Sequence, residues 1–488
     1  MGSETQSAAS PLLRILSADE AKSTVLKRRA LGDVELPAGV RQRVVQVFGR
    51  ELGPAEAVRE ILQDVRAHGD RALRRWTLRL DGVEPAEIAV PPAEWRAAWE
   101  RLEPALQRAM QGAVERIEAF HRRQPLHTWL DAKPSGALGQ LVRPIDSVGL
   151  YVPGGRASYP SSLLMAAIPA RVAGVRTLVV ASPPSRETGL PPAGVLAAAH
   201  LAGVDRVYRL GGAQAIAALA YGTESVAAVD KICGPGNLFV TLAKSQVMGL
   251  VGVDGLPGPT ETVIIADDTA SPRLVAADML AQAEHDPLAT ALLLTPSRRL
   301  AEAVAAELER QVAALAQGPA EAGGVEASSP DGSAEAGGVG ASAPLGMESR
   351  GVVAAEALRG QGGAVITGSL DEAIALANTY APEHLCLSVA DPWSWIGQVR
   401  NAGGVCVGEL SCETLGDYVA GPSHIMPTGG TARFASPLSV LDFVKITSLV
   451  AVSGAEARML APAAACLARY EGLEAHARAA EARGDSNG

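Results

Sequence analysis

The feature that most restricts how this chain can fold is an alternation that begins near Val142. Short apolar runs bounded by turn residues are each followed by a stretch with helical spacing. TLVVAS (177–182) precedes the helical PAGVLAAAHLAG (192–203). DRVYRL (205–210) leads through Gly211-Gly212 into AQAIAALA, and VDKIC (229–233) through Gly234-Pro235-Gly236-Asn237 into another helical pattern. Strands that alternate with helices are joined by crossovers and therefore run parallel, with the helices covering the sheet faces. TVIIADD (262–268) begins a second such series, which resumes with GAVITGS (363–369) and GGVCVGE (403–409). The expectation is an α/β protein with two Rossmann-like parallel-sheet domains, the first discontinuous, plus N- and C-terminal helical arms. The expected boundaries are 1–40 for the N-terminal arm, 41–145 with 260–445 for the first domain, 146–259 for the second, and 446–488 for the C-terminal arm.

Residues 11–125 carry apolar residues at spacings of three and four, as in AEWRAAWERLEPALQRAMQGAVERIEAFHRR, and read as helices with solvated charged faces. The Ala-rich tail from 446 also has helical texture; it is short for a domain and must pack on another surface. Between 317 and 350 the chain is dominated by Gly, Ala, Ser and Pro, with AEAGGVEAS (320–328) echoed by AEAGGVGAS (334–342). Two copies do not make a solenoid, and such a composition buries too little apolar surface to offset its ordering entropy, so a disordered surface insertion is expected.

Composition excludes several function classes. The 488 residues carry a formal net charge of −10, whereas nucleic acid and anionic membrane surfaces both demand basic faces. The most apolar stretch, 161–182, is interrupted by Pro169, Arg171 and Arg176 and falls short of the ~18 uncharged residues of a membrane span. The first residues lack the basic and apolar regions of a secretory signal. The five cysteines are odd in number and none is spaced C-x-x-C, which fits a reducing cytoplasm and argues against a disulfide framework or a thiolate zinc site.

Of the eight histidines, four sit in polar company. In SPRLVAADMLAQAEHDP (271–287), Ser271 is a good N-cap followed by Pro272, and Gln282 and His285 fall at i and i+3 near the helix end, where one metal ion could meet both. A solvated helix end is the plain alternative. In APEHL (381–385), Glu383 and His384 offer two proton-transfer groups of different basicity, provided that a turn holds them together. In GDYVAGPSHIMPT (416–428), Asp417 and His424 are separated by Gly421-Pro422, so they share a loop at the end of a strand pattern, a usual place for an α/β site or for a capped surface loop. In EGLEAHARAAEA (471–482), Glu471 and His476 would lie about 140° apart on an unbroken helix. GxGxxG does not follow these strands; GGAQ (211–214) and GPGN (234–237) are strand-to-helix turns whose amides could meet phosphate, and composition and spacing do not establish NAD.

Taken together, GLYVPGGRASYPSSLLMAAIPARVAG (149–174), GGAQAIAALAYGT (211–223), VDKICGPGN (229–237), GPTE (258–261), AQAEHDP (281–287), ANTYAPEHL (377–385) and GDYVAGPSHIMPT (416–428) resemble the histidinol dehydrogenase family, in order from about Arg143 to His476. The resemblance implies an intertwined homodimer that oxidises L-histidinol to L-histidine with two NAD+ and one water, as the last step of histidine biosynthesis. It implies zinc held by Gln282, His285 and Asp417, with His476 of the partner subunit completing the site. Tyr151, Gln214 and Asn237 match NAD-contacting positions. Thr260, Gln282, His285, Glu383, His384 and Asp417, together with Glu471 and His476 supplied across the interface, match substrate-binding positions. His384 would be the general base, and Glu383 would activate water. Ala281, where the family often has Ser, and Cys412, in a segment that often carries Pro, depart from the pattern without removing a proposed catalytic group. A related enzyme acting on another small diol or amino alcohol is the nearest alternative; retention of Glu471 and His476 speaks against it.

Overall fold

A computed structural model describes residues 11–28, 38–154, 159–316 and 350–484. The expected insertion, apart from Arg350, lies outside the described residues. Two parallel sheets organise the rest. The six-stranded sheet has the order β1 (Ile15–Ser17), β11 (Gly363–Ile366), β10 (Thr290–Thr295), β9 (Glu261–Ala266), β12 (His384–Ser388), β13 (Gly404–Val407). The five-stranded sheet has the order β6 (Arg206–Arg209), β5 (Thr177–Ser182), β4 (Ser147–Tyr151), β7 (Lys231–Cys233), β8 (Gly252–Val253). The two α/β sheets expected from the alternation of strands and helices are therefore present.

Burial explains why β9, β10 and β12 read as continuous apolar runs: every residue in them is buried. Alternate residues feed two cores. Ile264, Ala291 and Leu293 pack with Val275, Ala276 and Met279 of the helix Pro272–Ala283. Val263, Ile265, Leu292 and Leu294 face Ala373, Ile374 and Ala377 of the helix Leu370–Tyr380.

The N-terminal region departs from the expected grouping. The sequence assigns residues 41–145 to the first domain, but residues 54–121 pack on the five-stranded sheet. The helical stretch Pro54–Asp81, broken into two helices at Gly69 (φ 52°), lies on the helices Gly212–Tyr221 and Leu238–Val247, Pro92–Glu100 lies on Ala193–Leu201, and Pro104–His121 on Pro160–Ala173. The cause is steric: the stripe Val58, Ile61, Leu62, Val65, Leu73 and Trp76 meets a surface of Ala213, Ala217 and Ala220, whose small side chains allow close approach. Residues 15–17 of the expected arm extend the six-stranded sheet by pairing with β11.

The C-terminal arm begins as a strand rather than a helix. β14 (Val444–Val452) pairs antiparallel with β3 (Gly136–Pro144), which pairs with β2 (Trp129–Lys133). The run KITSLVAV is rich in β-branched residues, which outweigh the helical texture behind it. Helices Gly454–Tyr470 and Glu474–Gly484 then pack against each other. Among the described residues no helix is long and apolar enough to cross a membrane.

Candidate active site

The chemistry gathers where the amino-terminal edge of the six-stranded sheet is approached by the loops of 411–428. An α/β loop site is expected at carboxyl strand ends, but here His384 is the first residue of β12, Thr260 immediately precedes β9, and His285 precedes β10. The local cause is the helix Leu370–Tyr380, capped by Ser369 at its start and closed by Ala381, a non-glycine residue at φ 53°. That left-handed turn, costing about 1–2 kcal/mol for a residue with a Cβ, is followed by Pro382 and delivers Glu383 and His384 as a buried pair.

Glu383 Oε2 lies 2.5 Å from Thr260 Oγ1 and accepts from the Glu261 N–H at 3.0 Å. Burial pushes its pKa well above the carboxylate range, opposed by these two donors. The fully buried Gln282 joins the same network. Its amide is satisfied with the oxygen towards Thr260 Oγ1 (2.8 Å) and Glu261 N–H (2.6 Å) and the nitrogen 2.6 Å from Glu413 Oε1. Thr260 has one hydrogen to give; when Glu383 carries a proton it can donate to Thr260, which frees the hydroxyl hydrogen for Gln282.

His384, 5% exposed, has its Nε2 3.8 Å from Glu413 Oε1. Burial pulls its pKa below the ordinary imidazole value, with the Asp417 charge opposing, so the ring is neutral at pH 7 and able to accept a proton. Glu413 begins a short helix, Glu413–Leu415, that runs into the π-helical turn Gly416–Ala420 carrying Asp417. Burial raises both Glu413 and Asp417 to about 7. One ligand atom from each of His384, Glu413 and Asp417 fits within 4.8 Å of the others. Asp417 Oδ1 is buried without a partner among the described residues, a state that a bound cation would relieve. With the Gln282 amide in the opposite orientation its oxygen faces Glu413 Oε1, and that amide oxygen, the His285 imidazole and the Asp417 carboxylate form a donor set that suits zinc. Burial chiefly lowers the pKa of His285, with the Glu284 and Asp286 charges opposing and the Arg350 charge acting in the same direction as burial.

His424 Nδ1 donates to the Asp417 carbonyl (2.8 Å), while its Nε2 lies 3.3 Å from Ser162 Oγ. Burial drives its pKa to about 4. Ser162 belongs to the helix Pro160–Ala173, which follows β4, so this histidine joins the two sheets' active edges. His424 stood out in the sequence without a role. Glu413 and the buried Glu261, ion-paired to Arg28, were not singled out. The only sequence signal for Glu413 is its i, i+4 spacing to Asp417.

A second group lies at the carboxyl edge of the five-stranded sheet. Tyr151 ends β4, and its hydroxyl accepts from the Gly212 N–H (3.1 Å); burial raises its pKa to about 12. Gln214 is fully buried, and its Oε1 has no partner among the described residues. Asn237 caps the helix Leu238–Val247, accepting from Phe239 N–H and Val240 N–H. Gly234 precedes it at φ 113°, and a Cβ there would lie 2.1 Å from the Tyr151 carbonyl oxygen, so only glycine fits. Glu471 and His476 are exposed, with no side-chain hydrogen bond or ion pair among the described residues. The single chain does not bring them to the other predicted residues.

The histidinol dehydrogenase family model matches residues 51–329 and 342–484. The chain is 52% identical over 471 residues to histidinol dehydrogenase of Deinococcus radiodurans, covering 96% of this chain and 100% of that one. It is 50% identical over 441 residues to the Moorella thermoacetica enzyme, with 90% and 96% covered. The crystal structure of histidinol dehydrogenase from Elizabethkingia anophelis superposes with a TM-score of 0.81 at 30% identity, covering 98% of this chain and 99% of that one. A match over nearly the full length of both chains, joined to the buried Glu383–His384 pair and its carboxylate neighbours, leads to one conclusion: the chain belongs to the histidinol dehydrogenase family.

Proposed function

We propose that this chain oxidises L-histidinol to L-histidine through L-histidinaldehyde, by two successive hydride transfers to NAD+ and uptake of one water, as the last step of histidine biosynthesis. The observation that carries the reading is the neutral, buried His384 beside a Glu383 anchored by Thr260 and Glu261. In the first oxidation the His384 imidazole takes the hydroxyl proton while the carbinol carbon gives its hydride to NAD+. In the second, Glu383 removes a proton from the water that adds to the aldehyde, and the hydrated carbon gives up the second hydride. Burial strengthens both proton transfers by excluding competing solvent.

Gln282, His285 and Asp417, with the partner subunit's His476, would hold zinc. When bound, the ion supplies a positive charge that holds the imidazole and amino nitrogens of the substrate. Thr260 and Asp417 would orient the same substrate, together with the partner subunit's Glu471. A homodimer is favoured by the apolar residues left exposed on the C-terminal arm, Val450, Met459, Leu467 and Tyr470 among them. Tyr151, Gln214 and Asn237 would contact NAD at the carboxyl edge of the five-stranded sheet.

The test is NADH formation by purified protein supplied with L-histidinol, with and without a zinc chelator. Two NADH per L-histidinol, lost on chelation and regained with zinc, is the expected result. A folded, zinc-loaded protein that forms no NADH from L-histidinol overturns the substrate assignment and points to another small diol or amino alcohol.

A further inference from the structure

The five-stranded sheet has a doubly wound order, with the chain reversing direction between β4 and β7. In such sheets a dinucleotide lies across the carboxyl ends at the reversal, and an acid beside the end of the second strand receives the adenosine ribose hydroxyls. The second strand in chain order here is β5, and it runs out into Ser182-Pro183-Pro184 with no acid of its own. An acid reaches that place from elsewhere in the chain. Asp81 is the last residue of the helix Pro54–Asp81. A Cβ built on Gly211 would lie 3.3 Å from its Oδ1 and 2.5 Å from the Pro183 Cβ. Its Oδ2 accepts from Gln214 Nε2 at 3.3 Å, its one side-chain hydrogen bond among the described residues. Arg186 Nε donates to the Asp81 backbone carbonyl (3.1 Å), leaving a cation beside the carboxylate without a side-chain bond to it.

We propose that Asp81 is the cofactor-specificity residue: it accepts the adenosine ribose hydroxyls of NAD+ and repels the 2′-phosphate of NADP+. The inference rests on the reading of Tyr151, Gln214 and Asn237 as NAD contacts. Burial raises the pKa of this carboxyl to about 7, opposed by the Arg186 charge; above that pH the under-bonded carboxylate offers free lone pairs to two hydroxyls and places like charge against a phosphate. With Asp81 neutralised, Arg186 remains to attract that phosphate.

The test compares wild type with Asp81→Asn, Asp81→Asn/Arg186→Ala and Gln214→Ala, by steady-state kinetics of zinc-loaded enzyme with NAD+ and NADP+. Asp81→Asn should raise the KM for NAD+ about 10- to 100-fold, the range for a lost hydrogen bond to a charged group. It should lower the KM for NADP+ while leaving kcat and the KM for L-histidinol near wild type. Adding Arg186→Ala should remove the gain with NADP+. A merely structural role would lower kcat and the melting temperature and leave the NAD+ to NADP+ preference unmoved, which overturns the proposal. If Asp81→Asn changes neither KM while Gln214→Ala raises that for NAD+, the specificity role fails and the cofactor site stands. If Gln214→Ala is also without effect, the cofactor site and the Asp81 proposal fall together.

Discussion

Replacing Lys244 by Met should damage both folding and cofactor binding, through one loop. Lys244 is fully buried, and its ammonium donates to the Gly234 carbonyl at 3.0 Å and to the carboxylate of Asp254, whose side chain is 5% exposed. Asp254 Oδ2 in turn accepts from the Gly234 N–H at 2.6 Å. The ion pair thus satisfies both backbone polar groups of the glycine that opens the turn to Asn237. Removing one member of a buried pair strands the other charge and costs roughly 3–5 kcal/mol. The variant's urea-denaturation midpoint should fall accordingly. Adding Asp254→Asn removes the stranded charge and keeps an acceptor for Gly234 N–H, so the double variant should recover at least ~1.5 kcal/mol relative to additivity. The KM for NAD+ should stay raised in both variants, because the Gly234 carbonyl still lacks its donor. Strict additivity of the two substitutions, or a cost below ~1 kcal/mol for Lys244→Met, would refute the reasoning.

Three further outcomes are expected. Asp278→Asn should stabilise the protein near pH 8 and change little near pH 4. Burial raises this carboxyl from 3.8 to about 7, helped by the charges of Glu413 and Glu409; the folded state therefore binds the proton more tightly, and stability is lost as pH rises between those values. The shift sets a ceiling of roughly 4 kcal/mol, readable as a pH-dependent rise in melting temperature. His384→Asn should abolish NADH formation while zinc content by metal analysis stays at the wild-type level; loss of the metal would sink the assignment of His384 as base. Inactive His476→Ala subunits mixed with inactive Glu383→Gln subunits should regain activity through heterodimers carrying one intact site, and an absence of rescue would count against a ligand crossing the interface.

The sequence by itself determined the α/β class and six of the strands of the two parallel sheets, because buried parallel strands impose continuous apolar runs such as TVIIA and TLVVA, and their turns demand Gly and Pro. It also exposed the segments that hold Glu383, His384, Asp417 and His424, whose polar residues stand out within apolar surroundings. Tertiary structure alone decided the rest. Glu413 enters the site because the short helix Glu413–Leu415 sets its carboxylate against Thr262 of β9 and His384 of β12. Asp81 reaches the end of β5 from a helix about a hundred residues earlier in the chain, and Lys244 finds Asp254 across the Gly234 turn. Local sequence encodes periodicity and turn chemistry, which act over a few residues. The meeting of a carboxylate with a distant turn depends on how whole helices dock, and Leu73 and Trp76, which dock the helix bearing Asp81, are apolar residues that carry no catalytic chemistry.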